Sequence, residues 1–208
     1  MKKKLLLVIF LCTVCTARVD LGFLIDASSS GRRNIPRIVQ FLRETVRRFT
    51  ITSRAARIGV ITYASRPSRI IGFSRYTRGQ IYNAFRRIGV VGRGRYLGKA
   101  LAYTRRYLFG GKPRCGRRRV LIVVTTGQWV DRVKRPAEAL KGAGVEIFTI
   151  GIGSIRRTSL LRVTTDTKHV FMVGYTQLLS IVKTLKDRIC FSPGKLNLST
   201  YVFTVANR

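Results

Sequence analysis

Acidic side chains are scarce in this chain: 8 Asp and Glu stand against 41 Lys and Arg in 208 residues, a formal charge of +33. So few carboxylates cannot neutralise the surface of a folded domain, which must be positive on nearly every face and attract polyanions at long range. Histidine is scarcer still. The one present, His169, falls at the start of an apolar run far from any serine–carboxylate cluster, so no Ser-His-Asp arrangement is indicated. One histidine and a few cysteines give no zinc-ligand spacing either. Long apolar runs are confined to the amino terminus, where Lys2, Lys3 and Lys4 precede Leu5 to Cys15 and small residues follow up to Ala17. That pattern reads as a secretory signal peptide over residues 1–17, too short and wrongly flanked for a membrane span. No later segment reaches 18 apolar residues, so no transmembrane segment is expected. The mature chain, with three lysines fewer, keeps a charge of +30. For a secreted protein of this charge nucleic acid is not the expected partner. Sulfated or acidic polysaccharide, acidic matrix protein and anionic lipid or mineral surfaces remain. Internal repeats and low-complexity linkers are absent, and the length suits one domain with a full core.

The chain is organised around Val19 to Ser30, VDLGFLIDASSS. Its apolar part is too continuous for a half-solvated strand and reads as the middle of a sheet covered on both faces. Asp26 stands at the carboxyl end of that strand, where open α/β sheets bind ligands. Asp26, Ser28 and Ser30 then set three hard oxygen donors on one loop, a cluster suited to Mg²⁺ or Mn²⁺. An Asp and a Ser capping the next helix would account for the same residues.

Further strands are read at 56–64, 68–73, 120–126, 145–152 and 169–173, with helices at 35–49, 77–88, 98–109, 133–143, 158–165 and 176–189. Asn34 is the expected cap of the first helix, with Pro36 in its first turn. The short turn at Arg66-Pro67 makes the second and third strands an antiparallel hairpin on the sheet edge, since a parallel crossover needs a longer connection. The alternation elsewhere predicts an α/β fold: a doubly wound, mostly parallel central sheet with one antiparallel edge strand and helices on both faces. The domain is placed at 19–190. A carboxy-terminal tail, 191–208, carries a glycosylation sequon at Asn197. Trp129, just past the fourth strand, is read as a packing residue, with a binding hot spot as the alternative. With Cys12 and Cys15 assigned to the signal peptide, Cys115 and Cys190 remain as the expected disulfide, at the sheet end opposite Asp26.

Five segments together resemble the von Willebrand factor A domain, as found in matrilins and fibril-associated collagens: DLGFLIDASSS at 20–30, ARIGVITYA at 56–64, GKALAY at 98–103, VLIVVTTG at 120–127 and RPAEALKGAGVEIFTIGIG at 135–153. The resemblance implies a metal-ion-dependent adhesion site. Asp26, Ser28 and Ser30 match its Asp-x-Ser-x-Ser loop. Its threonine, five residues before the Ala of the G-x-A-L helix, falls on Arg95, and its second aspartate, at the end of the fourth strand, falls on Thr126. A single carboxylate beside a guanidinium is balanced without metal, so no cofactor is expected and any Mg²⁺ binding should be weak. Arg95 could pair with Asp26 or point to solvent. The implied role is a secreted adhesion or binding module of extracellular matrix with a degenerate metal site, non-catalytic, contacting collagen-like matrix proteins or sulfated and acidic polysaccharide, in an oligomeric state left open. A cationic host-defence protein acting on anionic membranes is the alternative. The paired arginines at 32–33, 47–48, 86–87, 105–106 and 156–157 and the run Arg117 to Arg119 each read singly as a solvated face, and together as an attraction to polyanions.

Overall fold

A computed structural model describes residues 15–190, except the side chains of residues 30 and 31. Asn197 and the tail, like the start of the segment read as a signal peptide, lie outside the described residues.

Six strands form one sheet in the order β3-β2-β1-β4-β5-β6: β1 is Val19–Asp26, β2 Ala56–Tyr63, β3 Pro67–Ile71, β4 Arg118–Thr125, β5 Val145–Ile152 and β6 Val170–Val173. All neighbours are parallel except β2 and β3, which pair antiparallel with Tyr63 opposite Pro67. Every residue of β1 is buried, as its continuous apolar run requires, because the helices cover both faces. Val19, Leu21, Phe23 and Ile25 pack with Ile38, Phe41, Leu42 and Val46 of α1 (Ile35–Arg47), together with α2 (Arg78–Phe85) and α6 (Val182–Cys190). Leu24 points the other way, onto Leu97, Ala100 and Leu101 of α3 (Leu97–Tyr107) and Ala137 and Leu140 of α4 (Lys134–Gly142). Each such fully buried side chain contributes about 2 kcal/mol of transfer free energy. Gly22 allows α3 to end close against the sheet: a Cβ there would stand 2.9 Å from Leu108 Cδ2 and 3.3 Å from Leu121 Cδ1. Among the described residues no helix is long and apolar enough to cross a membrane.

Three local expectations change. Asn34 makes no capping bond to α1; its side-chain oxygen accepts from Arg37 Nη1 at 3.1 Å instead. The helix expected at 158–165 is α5, Arg157–Leu161. It stops because Thr164 and Thr165 turn their hydroxyls to the backbone of Ile147, at 2.8 Å each, and so satisfy β5 rather than a further helical turn. The helix expected at 176–189 divides into a 3₁₀ turn at Tyr175–Gln177 and α6.

The disulfide also differs. Cys190 is bonded to Cys15, with Cα atoms 5.9 Å apart, and Cys115 is an exposed free thiol. Cys15 is buried and held between the end of α1 and β2: its N–H donates to Arg48 O at 2.7 Å and its carbonyl accepts from Thr50 N at 2.8 Å. The Cys115–Cys190 expectation set Cys15 aside with the signal peptide. In the fold Cys15 sits beside the end of α6, whereas Cys115 lies on the loop before β4 and faces solvent. The bond places Cys15 with the folded domain rather than apart from it in the segment read as a signal peptide.

Candidate functional site

The chain order reverses between β1 and β4, the position beside which open α/β sheets bind ligands, at the carboxyl ends of the strands. The register of β1 on β4, Ile25 opposite Val124, brings Asp26 at the end of one strand against Thr126 just beyond the other. The Asp26 side chain is fully buried. Its Oδ1 accepts from Ser28 N at 2.9 Å. Its Oδ2 accepts from Thr126 N at 2.9 Å, from Thr126 Oγ1 at 2.7 Å and from Arg95 Nε at 3.1 Å. The carboxylate thus has at least four donors, one of them a cation.

Arg95 reaches this position from the loop before α3, across Gly127. A Cβ at Gly127 would stand 3.1 Å from Arg95 Cζ, so the missing side chain is the space in which the guanidinium lies. The Arg95 backbone is pinned as well, its carbonyl accepting from Val130 N at 3.0 Å. Asp131, one residue further on, caps α3 by accepting from Gly98 N at 2.9 Å and Lys99 N at 2.8 Å. The loop after β4 and the start of α3 are therefore tied together, and Arg95 has little freedom to swing out. Asp131 was not singled out in the sequence because its role depends on a helix 33 residues upstream.

Ser28 is buried beside Asp26. The side chain of Ser30, in the 3₁₀ turn Ser29–Asn34, lies outside the described residues. Two tyrosines that sequence reasoning also missed close the site. Tyr63, at the end of β2, is completely buried, and burial followed by the Asp26 charge pushes its phenol pKa well up, so it stays neutral. Tyr175 is half-buried, and the same two causes raise its pKa. Among the described residues no group of three or more His, Cys, Asp or Glu is placed to hold a metal ion.

Other expected residues lie elsewhere. Trp129 is partly buried and packs against both the α3–α4 core and the cluster of Ile155, Leu160 and Val170. His169 stands at the opposite end of the sheet, stacked on Phe148 at 4.0 Å and 3.3 Å from Glu146. Arg32, Arg33, Arg86, Arg87, Arg105, Arg106, Arg156 and Arg157 are exposed. The run 117–119 is not a solvated face: Arg117 donates to Ala55 O and Ser53 O, Arg118 to Ile189 O and Glu146, and Arg119 to Ala143 O and Phe109 O.

The family profile described as von Willebrand factor type A domain matches residues 20–184. The chain is 31% identical over 194 residues to the mouse (Mus musculus) collagen alpha-4(VI) chain, covering 90% of this chain and 8% of that one. It is 32% identical over 181 residues to mouse vitrin, covering 85% of this chain and 28% of vitrin. It thus spans less than a third of either relative's length. Among solved structures, proximal thread matrix protein 1 from the mussel byssus superposes with a TM-score of 0.80 at 24% identity, over 86% of this chain and 48% of that one. Another structure of that mussel protein, at 23% identity, is described as having a zinc-occupied metal-ion-dependent adhesion site. By fold, strand order and sequence match, this chain belongs to the von Willebrand factor type A domain family.

Proposed function

We propose that this chain is a secreted, non-catalytic binding module of extracellular matrix that contacts matrix proteins or acidic polyanions without a bound cation. The observation that carries the reading is the closure of Asp26 by Arg95 and Thr126. The donor set does not fit a dication: the one carboxylate is already saturated, a guanidinium lies against Oδ2, and Thr126 contributes a hydroxyl where a second negative charge would be needed. Adhesion then falls to the surface, where a charge of +30 without the leader's three lysines and exposed arginine pairs on several helices and loops supply long-range attraction and bidentate contacts to carboxylate and sulfate. The matrix proteins among the relatives support the setting.

The test is retention on immobilised heparin and on a panel of matrix proteins, with and without EDTA. Binding should be unchanged by EDTA and lost between about 0.1 and 1 M NaCl, where the Debye length shrinks from about 10 to 3 Å. Loss of binding in EDTA at constant salt refutes the cation-free reading.

A further inference from the structure

The sheet end opposite Asp26 has the reverse problem, too much buried positive charge. Asp20, six residues before Asp26 and so about 20 Å away along β1, accepts from Arg57 Nε at 2.7 Å and Arg57 Nη2 at 2.5 Å, and Arg117 Nη1 lies 3.4 Å from it. These side chains are 9, 10 and 7% exposed. Arg119, 8% exposed, faces the same carboxylate from β4. Its partners are the carbonyls of Ala143, Phe109 and Gly111, which accept hydrogen bonds but bring no countercharge. Three nearly dry guanidiniums share one carboxylate, and among the described residues two of these charges have no countercharge. The pKa values of Arg117 and Arg119 are both lowered, chiefly by burial, and that of Arg117 further by Arg57, Arg114 and Arg18.

Beside this group a cavity of about 180 Å³ opens to solvent, lined by Asp20, Arg57 and Arg119, with Lys112 and Arg114 from the exposed loop before β4. Its apolar wall is Phe73 and Phe109, ring centroids 5.2 Å apart, each carrying a guanidinium over its face: Arg57 on Phe73 at 5.5 Å and Arg119 on Phe109 at 5.2 Å. The rings hold both guanidiniums in place, together with Asp20 for Arg57 and backbone carbonyls for Arg119. With Nε and Nη2 of Arg57 occupied by Asp20, its Nη1 is left for a further acceptor. The volume admits a tetrahedral oxyanion with several waters.

We infer that this cavity is an anion site that takes a sulfate ester of an acidic polysaccharide, held by Arg57 and Arg119 and closed over by Lys112 and Arg114. The inference rests on the polyanion part of the proposed function and gives it an address remote from Asp26. Guanidinium forks match tetrahedral oxyanions, and an anion would cancel charge that the fold leaves unbalanced.

Inorganic sulfate, titrated against chloride at constant ionic strength, should give saturable shifts in the amide resonances of Gly111 and Arg119. The variant Lys112→Gln/Arg114→Gln should bind sulfate at least tenfold more weakly. The control Lys134→Gln/Arg135→Gln, which removes the same charge at the start of α4, should stay within twofold. All four side chains are exposed, so both variants should fold. Equal sulfate affinity in the two variants, or no saturable shift in the wild type, overturns the site. Inorganic phosphate binding more than tenfold tighter than sulfate overturns the assignment to a sulfate ester. A heparin column separates this inference from the reading beneath it. Wild type that fails to bind heparin refutes the polyanion function. Wild type that binds, with both variants eluting at the same salt, refutes the cavity alone.

Discussion

Replacing Arg95 by Thr and Thr126 by Asp should turn a closed position into a metal site. A dication held by Asp26 would stand about 4 Å from a guanidinium that is now 3.1 Å from the same carboxylate oxygen. Two unit charges at that distance repel by about 4 kcal/mol at an effective dielectric of 20, and a dication by about twice that. Arg95 is 21% exposed, so solvent weakens the effect, but half of it is still about three decades of affinity. The double substitution removes that repulsion and adds a second carboxylate beside Asp26 and Ser28. If the variant binds Mg²⁺ with a Kd of about 0.1 mM, 10 mM Mg²⁺ adds about 2.7 kcal/mol of stability and raises Tm by roughly 5–10 °C for a domain of this size. Wild type should show no shift and no heat of binding. Calorimetry and thermal melts in Mg²⁺ and EDTA decide it. Micromolar Mg²⁺ binding by the wild type, or none by a folded double variant, would refute the electrostatic argument.

Three further outcomes are expected. The Cys15–Cys190 bond spans 175 residues of sequence, so its reduction or Cys15→Ser should lower unfolding free energy in urea by roughly 5 kcal/mol in the chain-entropy model; Cys115→Ser should leave it unchanged, and the opposite ranking restores the Cys115–Cys190 pairing. Gly22→Val would force Leu108 and Leu121 aside and should cost about 1–3 kcal/mol, read as a Tm drop of several degrees; an unchanged Tm contradicts the close approach of α3. His169 has its pKa lowered, first by burial and against the pull of Glu146, so below its ordinary value near 6.5 the unfolded chain binds a proton before the folded one does. Stability should therefore be full above that pH and decline as pH falls below it. In His169→Gln the loss between about pH 7 and 5 should be smaller, as read from urea midpoints; equal losses rule out this residue as the cause.

The architecture was legible because its signals are local. The unbroken apolar run of β1 announced a strand buried on both faces, and the short turn before Pro67 allowed only a hairpin. Asp26 could be placed at the carboxyl end of the sheet because a strand's end fixes where its last side chain stands. Long-range contacts escaped. The run Arg117 to Arg119 reads as surface by composition, yet the carbonyls of Ser53, Ala55, Phe109 and Ala143 converge on it only when distant loops meet. Thr164 and Thr165 ended α5 through a strand 17 residues upstream, which no helical periodicity reports. The cysteines were miscounted because leader composition and core composition are alike: Cys15 ends an apolar run and is also a core residue. At the site, matching segments identified the substituted positions, but whether Arg95 turned inward depended on Gly127, whose bare Cα leaves the room.

The covalent clasp between Cys15 and Cys190 also sets how the module would carry load. Tension applied at these two residues would pass through a link whose Cα atoms are 5.9 Å apart, bypassing the six strands. The hydrogen bonds of the sheet are never pulled, and the intervening chain, roughly 600 Å when fully extended, cannot pay out. Pulled at those two residues, the module would behave as an inextensible bead. Reducing that one bond would make it a spring whose slack is released only when the fold gives way.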